Sequence, residues 1–159
     1  LWDTTWAGEK DRLQVAVDAA RKLRVRPLPV PVAKTGDFEN AFKAAARERA
    51  GGLLVLRTPL MVMHTALIVK LAAQARLPAI YDDAAFVEAG GLMSYGASLI
   101  EISHRAANYV DKILKGAKPG DIPVEQPTRF ELVVNRKTAK TLGVKFPNSI
   151  QLRIDRTIE

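Results

Sequence analysis

The chain has 159 residues, of which 48% are hydrophobic, so it is long and apolar enough to bury a core. It contains no cysteine, which excludes disulfides, thiolate metal ligands and cysteine nucleophiles. The net charge of +7 is compatible with an acidic partner, but the densest basic cluster has no aromatic residues between its charges for base stacking (Arg21, Lys22, Arg24, Arg26). We therefore expect a solvated basic surface and no nucleic-acid partner.

Helical and β-rich segments alternate along the first half of the chain. Apolar residues at helical spacing predict a helix over residues 9–23. Residues 25–32 are β-rich but contain three prolines, which allows an edge strand at best. Asp37 is expected to cap the next helix. Residues 53–56 form the continuous apolar run that is typical of a strand covered on both faces.

The alternation continues in the second half. Helices are predicted over residues 61–75, 84–89, 98–115 and 137–142, and strands over residues 78–81, 92–95 and 130–135. A turn at residues 118–121 and an extended segment bounded by prolines at 123 and 127 separate the long helix from the last strand. No internal repeat or dividing linker is present.

This order of elements predicts an α/β fold, a three-layer sandwich with a mainly parallel sheet. Ligands of such sheets bind outside the carboxyl ends of the strands. The rule nominates three loops, at residues 57–59, 81–83 and 94–96.

Motifs for catalysis are missing. The chain has neither a phosphate-binding loop nor a dinucleotide fingerprint, and Ser94 lies in Leu-Met-Ser-Tyr-Gly, which does not match the G-x-S-x-G of serine hydrolases. His64 and His104 lie on predicted helices without a second histidine at ligand spacing, so we expect surface or interhelical roles. We expect no catalytic residue, no metal and no cofactor.

Three features remain open between structural and ligand-binding roles. The pair Asp82-Asp83 follows a predicted strand and either caps the next helix or holds a ligand, such as a magnesium ion. Tyr95 ends a strand at the predicted ligand edge, where its ring either covers the core or contacts a ligand. Trp2 and Trp6, near a predicted turn or first helical turn, are expected to pack in the core or between domains.

Several linked segments resemble one family of ABC-transporter substrate-binding proteins that includes tryptophan- and tyrosine-binding members. The most specific segment is Phe-Val-Glu-Ala-Gly-Gly-Leu-Met-Ser-Tyr-Gly at residues 86–96. The resemblance covers nearly all of residues 50–159, and its other matching segments are 77–81, 109–119, 123–128, 130–135 and 137–143.

The resemblance implies one lobe of a type I periplasmic-binding-protein fold, in which two lobes close on a ligand. We expect the chain to be the C-terminal lobe, with residues 98–127 crossing to an N-terminal lobe that this sequence lacks, as it lacks an export signal. The implied function is non-enzymatic: capture of a small molecule, such as an amino acid, outside the cytoplasm or in the periplasm, for an ABC permease in the inner membrane. The uncovered apolar stripe of the long helix predicts self-association of the fragment.

The expected ligand contacts from this lobe combine hydroxyls, carboxylates and aromatic rings. They are Thr58, Tyr81, Asp82, Asp83, Phe86, Ser94 and Tyr95. Two alternatives stay open: a sensor domain of the same fold that signals instead of feeding a permease, and a magnesium-dependent phosphotransfer enzyme that uses Asp82 and Asp83.

Overall fold

A computed structural model describes all residues, 1–159, and shows strands and helices in alternation. The strands are β1 (Trp2–Asp3), β2 (Pro31–Val32), β3 (Leu53–Val55), β4 (Ala79–Tyr81), β5 (Met93–Ala97), β6 (Phe130–Asn135) and β7 (Arg156–Ile158). The helices are α1 (Glu9–Lys22), α2 (Asp37–Arg47), α3 (Pro59–Met63), α4 (Thr65–Gln74), α5 (Ala84–Glu88), α6 (Leu99–Leu114), α7 (Arg136–Leu142) and α8 (Asn148–Gln151). No helix of the chain combines the length and apolar character needed to cross a membrane.

Five strands form the main sheet in the order β3-β4-β5-β6-β7, and only the β5–β6 pair is antiparallel. Strands β1 and β2 form a separate parallel pair. This pair lies beside β3, since the backbone amine of Leu1 donates to the carbonyl of Leu54 at 2.7 Å. The predicted α/β class with a mainly parallel sheet is confirmed.

The main core lies between one face of the sheet and helices α2, α4 and α5. It is a cluster of 14 buried residues that includes Phe38 of α2, Ile68 of α4, and Tyr81 and Phe86 from β4 and α5. Burial at helical spacing along α2 matches its apolar pattern. The core therefore fixes β3 and β4, whose carboxyl ends carry the candidate site.

The predicted helix over residues 61–75 is divided into α3 and α4 at His64. Thr58 caps α3 through a hydrogen bond from the Met61 backbone N–H, and Pro59 occupies the first helical position, where a missing N–H costs nothing. The His64 ring lies 2.9 Å from the Thr35 hydroxyl and meets the ring of Phe38 edge-on. This histidine has the interhelical position that the sequence predicts.

Other differences from the sequence-based elements are local. Asp37 does not cap α2; it is the first residue of the helix, and its carboxylate accepts the N–H groups of Ala33 and Lys34. Of the proline-rich segment 25–32, only β2 forms. Strands β1 and β7 and helix α8 were not predicted, because segments of two to four residues carry almost no periodic signal.

Helix α6 differs from the other long amphipathic helix, α2, because none of its residues is buried. Ser98 caps it through the Glu101 N–H, and its apolar residues recur at helical spacing. Most of these side chains are exposed, among them Leu99, Ile102, Val110 and Ile113. No element of the chain covers this face.

Candidate functional site

The ends of β1 and β3 are joined by a buried hydrogen bond. Asp3 is the last residue of β1, and one of its carboxylate oxygens accepts the Thr58 hydroxyl at 2.8 Å. The other oxygen accepts both the N–H and the hydroxyl of Thr5. Burial disfavours the charged form of Asp3, but these hydrogen bonds from Thr5 and Thr58 outweigh it, so the pKa of the Asp3 carboxyl is lowered.

A second set of bonds connects α1 to the loops after β3 and β4. One Asp82 oxygen accepts the backbone N–H of Arg57 at 2.9 Å and the guanidinium of Arg12 at 3.0 Å. Arg12 also donates to Glu9 and to the carbonyl of Arg57. Because guanidinium groups present several donors in a fixed plane, one arginine can hold three elements in register. The start of α1 is thereby fixed against the carboxyl edge of the sheet.

The neighbouring acid, Asp83, has a different role. Its carboxylate accepts the N–H of Ala85 and caps α5, as one of the two sequence-based interpretations predicts. The other oxygen forms an ion pair with Arg57 at 3.0 Å. Each member of the acidic pair therefore has an arginine partner, and no group of three or more side chains at this edge or elsewhere is arranged to hold a metal ion.

Two buried carboxylate oxygens at this edge lack hydrogen-bond partners: Oε1 of Glu9 and Oδ1 of Asp82. Glu9 is fully buried, and this desolvation raises the pKa of its carboxyl; Arg12 opposes the rise, and the charges of Asp3 and Asp82 add to it. Acceptors without donors in a buried position are costly, so each oxygen needs a donor that the side chains around it do not supply.

Glycine is required where β5 passes the loop after β4. A Cβ added at Gly96 would lie 2.8 Å from the carbonyl carbon of Asp82 and closer still to its oxygen. These are backbone atoms, which cannot turn aside as a flexible side chain would. Gly96 therefore allows β5 to approach the loop that carries Asp82.

Half-exposed aromatic rings lie near the same edge. Tyr95 is 47% exposed and stacks on Phe130 of the neighbouring strand, with 5.7 Å between ring centroids. Trp6, in the loop between β1 and α1, is 49% exposed. Rings in this position can pack on the apolar part of a small molecule.

The structure divides the seven predicted contact residues into two groups. Thr58, Asp82 and Asp83 belong to the hydrogen-bonded edge, and Tyr95 is exposed beside it. Tyr81, Phe86 and Ser94 are at most 2% exposed and take no part in these bonds; Thr58 is equally buried, at 2%. The rings of Tyr81 and Phe86 stack in the core at 4.6 Å, where burial raises the pKa of the Tyr81 phenol and leaves its hydroxyl without a partner.

Sequence reasoning missed Asp3, Glu9 and Arg12. Strand β1 has only two residues, too few to show a strand pattern, so Asp3 was not placed at a strand end. Glu9 and Arg12 stand at i and i+3, a common spacing for an ion pair on a helix surface. The only signal of a special role was an acidic residue in the first turn of α1.

Replacing Glu9 by Gln should change how stability depends on pH. Because the Glu9 pKa is raised in the folded state, the folded chain binds this proton more tightly than the unfolded chain. The contribution to stability is full below the unfolded pKa and is lost as the pH rises through the folded value. We expect urea unfolding to show that E9Q gains stability relative to the parent on going from pH 4 to pH 8. E39Q, at an exposed acid in the first turn of α2, is the control; equal pH profiles for E9Q and the parent would contradict the prediction.

Comparisons with known proteins agree with this architecture. A tyrosine-binding protein of Clostridioides difficile (strain R20291) is 22% identical over 148 residues, which are 91% of this chain and 42% of that protein. The chain spans about half the length of the relatives it matches.

Solved structures show the same fold. A conserved domain protein from Vibrio cholerae superposes with a TM-score of 0.87 at 24% identity, over 98% of this chain and 52% of that one. An ABC domain from Streptococcus pneumonia in complex with L-Trp gives 0.88 at 21% identity, over 99% and 53%. The open, ligand-free form of a Clostridium difficile substrate binding protein with adhesive properties gives 0.73 at 19%, also over 99% and 53%.

The match to a family model covers more of the chain than any single motif does. The model describes ABC transporter substrate binding proteins and matches residues 7–158. The chain therefore belongs to the family of ABC transporter substrate binding proteins.

Proposed function

We propose that the chain is the C-terminal lobe of a two-lobe solute-binding protein and that its carboxyl edge forms half of the ligand cleft. The observation that carries the proposal is the group of acids at that edge, Glu9, Asp82 and Asp83, of which Asp82 keeps a side chain that is 26% exposed. Family membership and a length about half that of the relatives support it. In such proteins a ligand drives closure only by binding the closed form more tightly than the open one.

The chemistry of the edge favours a ligand with a donor-rich cationic group and an apolar part, as in an amino acid. Asp82, whose side chain is 26% exposed, would attract an ammonium group, and Asp83 with Thr58 would support it from the neighbouring loops. Tyr95 would pack on the side chain. The buried residues Tyr81, Phe86 and Ser94 would pack behind these contact residues.

Delivery of the solute to an ABC permease in the inner membrane, from the periplasm or another extracytoplasmic space, completes the proposal. Substrate-binding families capture and release their ligand without chemical change, so the proposed role is not enzymatic. The ion pairs of Asp82 and Asp83 with Arg12 and Arg57 support this role over phosphoryl transfer.

Helix α6 supports the proposed division into lobes. Its apolar face is exposed along its whole length although its pattern is that of a packed helix. We propose that residues 98–127 cross to the other lobe and that the face packs there.

Without that lobe, we expect the 159-residue fragment to associate with itself through α6. An exposed apolar stripe of this size is an association surface. Light scattering should give a mass above the 17.4 kDa of one chain. Replacement of Ile102 and Ile113 by Lys should return the measured mass to that of one chain. A monodisperse monomer before mutation would contradict the expectation.

Ligand screening by thermal shift on the protein with both lobes tests the function. An amino acid at about 100 times its dissociation constant should add about 2.7 kcal/mol of stability. D82N and Y95A should reduce the shift. D111N and Y109A, at acid and phenol positions on α6, are the matched controls. A folded protein that responds to no amino acid, or equal responses in D82N and D111N, would contradict the proposed site.

A further inference from the structure

A cavity lies between α1 and the sheet and extends to α2, which contributes Ala41, Phe42 and Ala45. Its walls are the apolar face of α1, including Leu13 and Val17, and the strand residues Leu54, Ile80 and Met93. None of these five side chains is fully buried, and Glu9 is the only buried residue of α1. Helix and sheet therefore leave a space where the two apolar surfaces face each other.

The space is large enough for a small molecule. Its volume is about 720 Å³, and 20 of its 28 lining residues are hydrophobic. Binding sites for small molecules occupy about 300–1,000 Å³ and have mostly apolar walls with a few polar groups.

The polar groups of the lining gather at one end. These groups are Arg26, Glu48 and Arg49, beside the glycine pair that precedes β3. They lie at the amino ends of the strands, whereas the proposed solute site lies at the carboxyl ends. Arg26 pairs with Glu48 at 3.3 Å, which balances one charge of each sign. Arg49 takes no part in this pair and is exposed, so the mouth carries an excess positive charge. The basic cluster at residues 21–26 continues into it.

We propose that this cavity binds a single-chain amphiphilic anion, such as a fatty acid. The acyl chain would lie under α1 between Leu13 and the strands, and the carboxylate would bind Arg49 at the mouth. The apolar walls recognise the chain by burial, and the guanidinium recognises the carboxylate by charge-assisted hydrogen bonds. The site is separate from the proposed solute edge and does not depend on the function proposed there.

Titration with dodecanoate, below the concentration at which it aggregates, tests the proposal. Trp2 lines the cavity and Trp6 does not, so the fluorescence of a W6F background reports on the site. We expect saturable binding that an amino acid bound at the other edge does not displace. Dodecanol, which has the same chain without the charge, should bind in the same cavity.

Matched variants separate the contributions of the carboxylate and of the acyl chain to binding. Arg49 and Arg76 each follow a helix with nearly the same left-handed φ, 52° and 51°, and only Arg49 lines the cavity. We expect R49A to weaken dodecanoate binding at least tenfold, because it removes the charge-assisted hydrogen bonds to the carboxylate, and to leave dodecanol binding unchanged. R76A should change neither. A16F, which fills the cavity from α1, should abolish binding of both.

Three results would overturn the proposal. The first is the absence of saturable binding of either probe to the folded parent protein. The second is an equal effect of R49A and R76A on dodecanoate. The third is binding that appears only with anionic lipid vesicles and persists in A16F, which would assign the basic cluster to a membrane surface. If A16F does not fold, the comparison of R49A with R76A still tests whether Arg49 binds the carboxylate.

Discussion

Replacement of Gly96 by Ala should destabilise the protein and abolish solute binding. The new methyl group would lie 2.8 Å from the carbonyl carbon of Asp82 and still nearer to its oxygen, so either the end of β5 or the loop after β4 must move. Forcing extra atoms into a packed site costs about 1–3 kcal/mol, and backbone neighbours place this site at the upper end. The same displacement would move the Asp82 carboxylate away from Arg12 and Arg57.

Urea unfolding and ligand-induced thermal shift measure the two effects of this substitution. Gly120 is the control, because an added Cβ meets nothing within 4 Å and its φ is not positive. G120A should leave stability unchanged or raise it by up to about 1 kcal/mol through the lower entropy of the unfolded chain. If G96A matched G120A in both stability and binding, the close approach of β5 to Asp82 would not be a requirement of the site.

The sequence predicts the fold well where burial leaves a periodic or continuous apolar pattern. Helix α2 carries Phe38, Ala41, Phe42 and Ala45 on one face, and the structure buries all four. The predicted strand at 53–56 is β3 of the main sheet. The antiparallel direction of β6 was not predictable, because strand direction depends on the path of the chain through α6 and the connection that follows it.

The sequence predicts only some of the residues at this edge, for physical reasons. The rule for carboxyl ends of strands selects Thr58, Asp82 and Asp83, and the structure places Thr58 against Asp3 and the two acids against arginines. Arg12 was not selected, because the hydrogen bond to Asp82 spans 70 residues and no local pattern encodes it. Side-chain direction was also hidden: Tyr81 and Tyr95 both lie near strand ends, but one ring points into the core and the other to solvent.

Two aromatic stacks of this chain should respond in opposite ways to loss of a ring. Phe86 is fully buried against Tyr81, and its backbone lies close to Gly91, so F86A leaves a cavity that the surrounding core cannot easily fill. We expect a loss of about 3–5 kcal/mol in the free energy of unfolding, a large part of the stability of a domain of this size. Phe130 is 49% exposed against Tyr95, so F130A should cost about 1 kcal/mol or less.

Solute binding should show the reverse order. The Tyr95–Phe130 stack borders the proposed cleft, so F130A should weaken ligand binding in the folded protein by loosening Tyr95. F86A, measured at a temperature where it remains folded, should bind the ligand nearly as the parent does. Chemical denaturation gives the stabilities, and calorimetric titration gives the affinities. If F86A lost affinity while keeping its stability, Phe86 would contact the ligand directly, and the stack with Tyr81 would belong to the binding surface and not to the core.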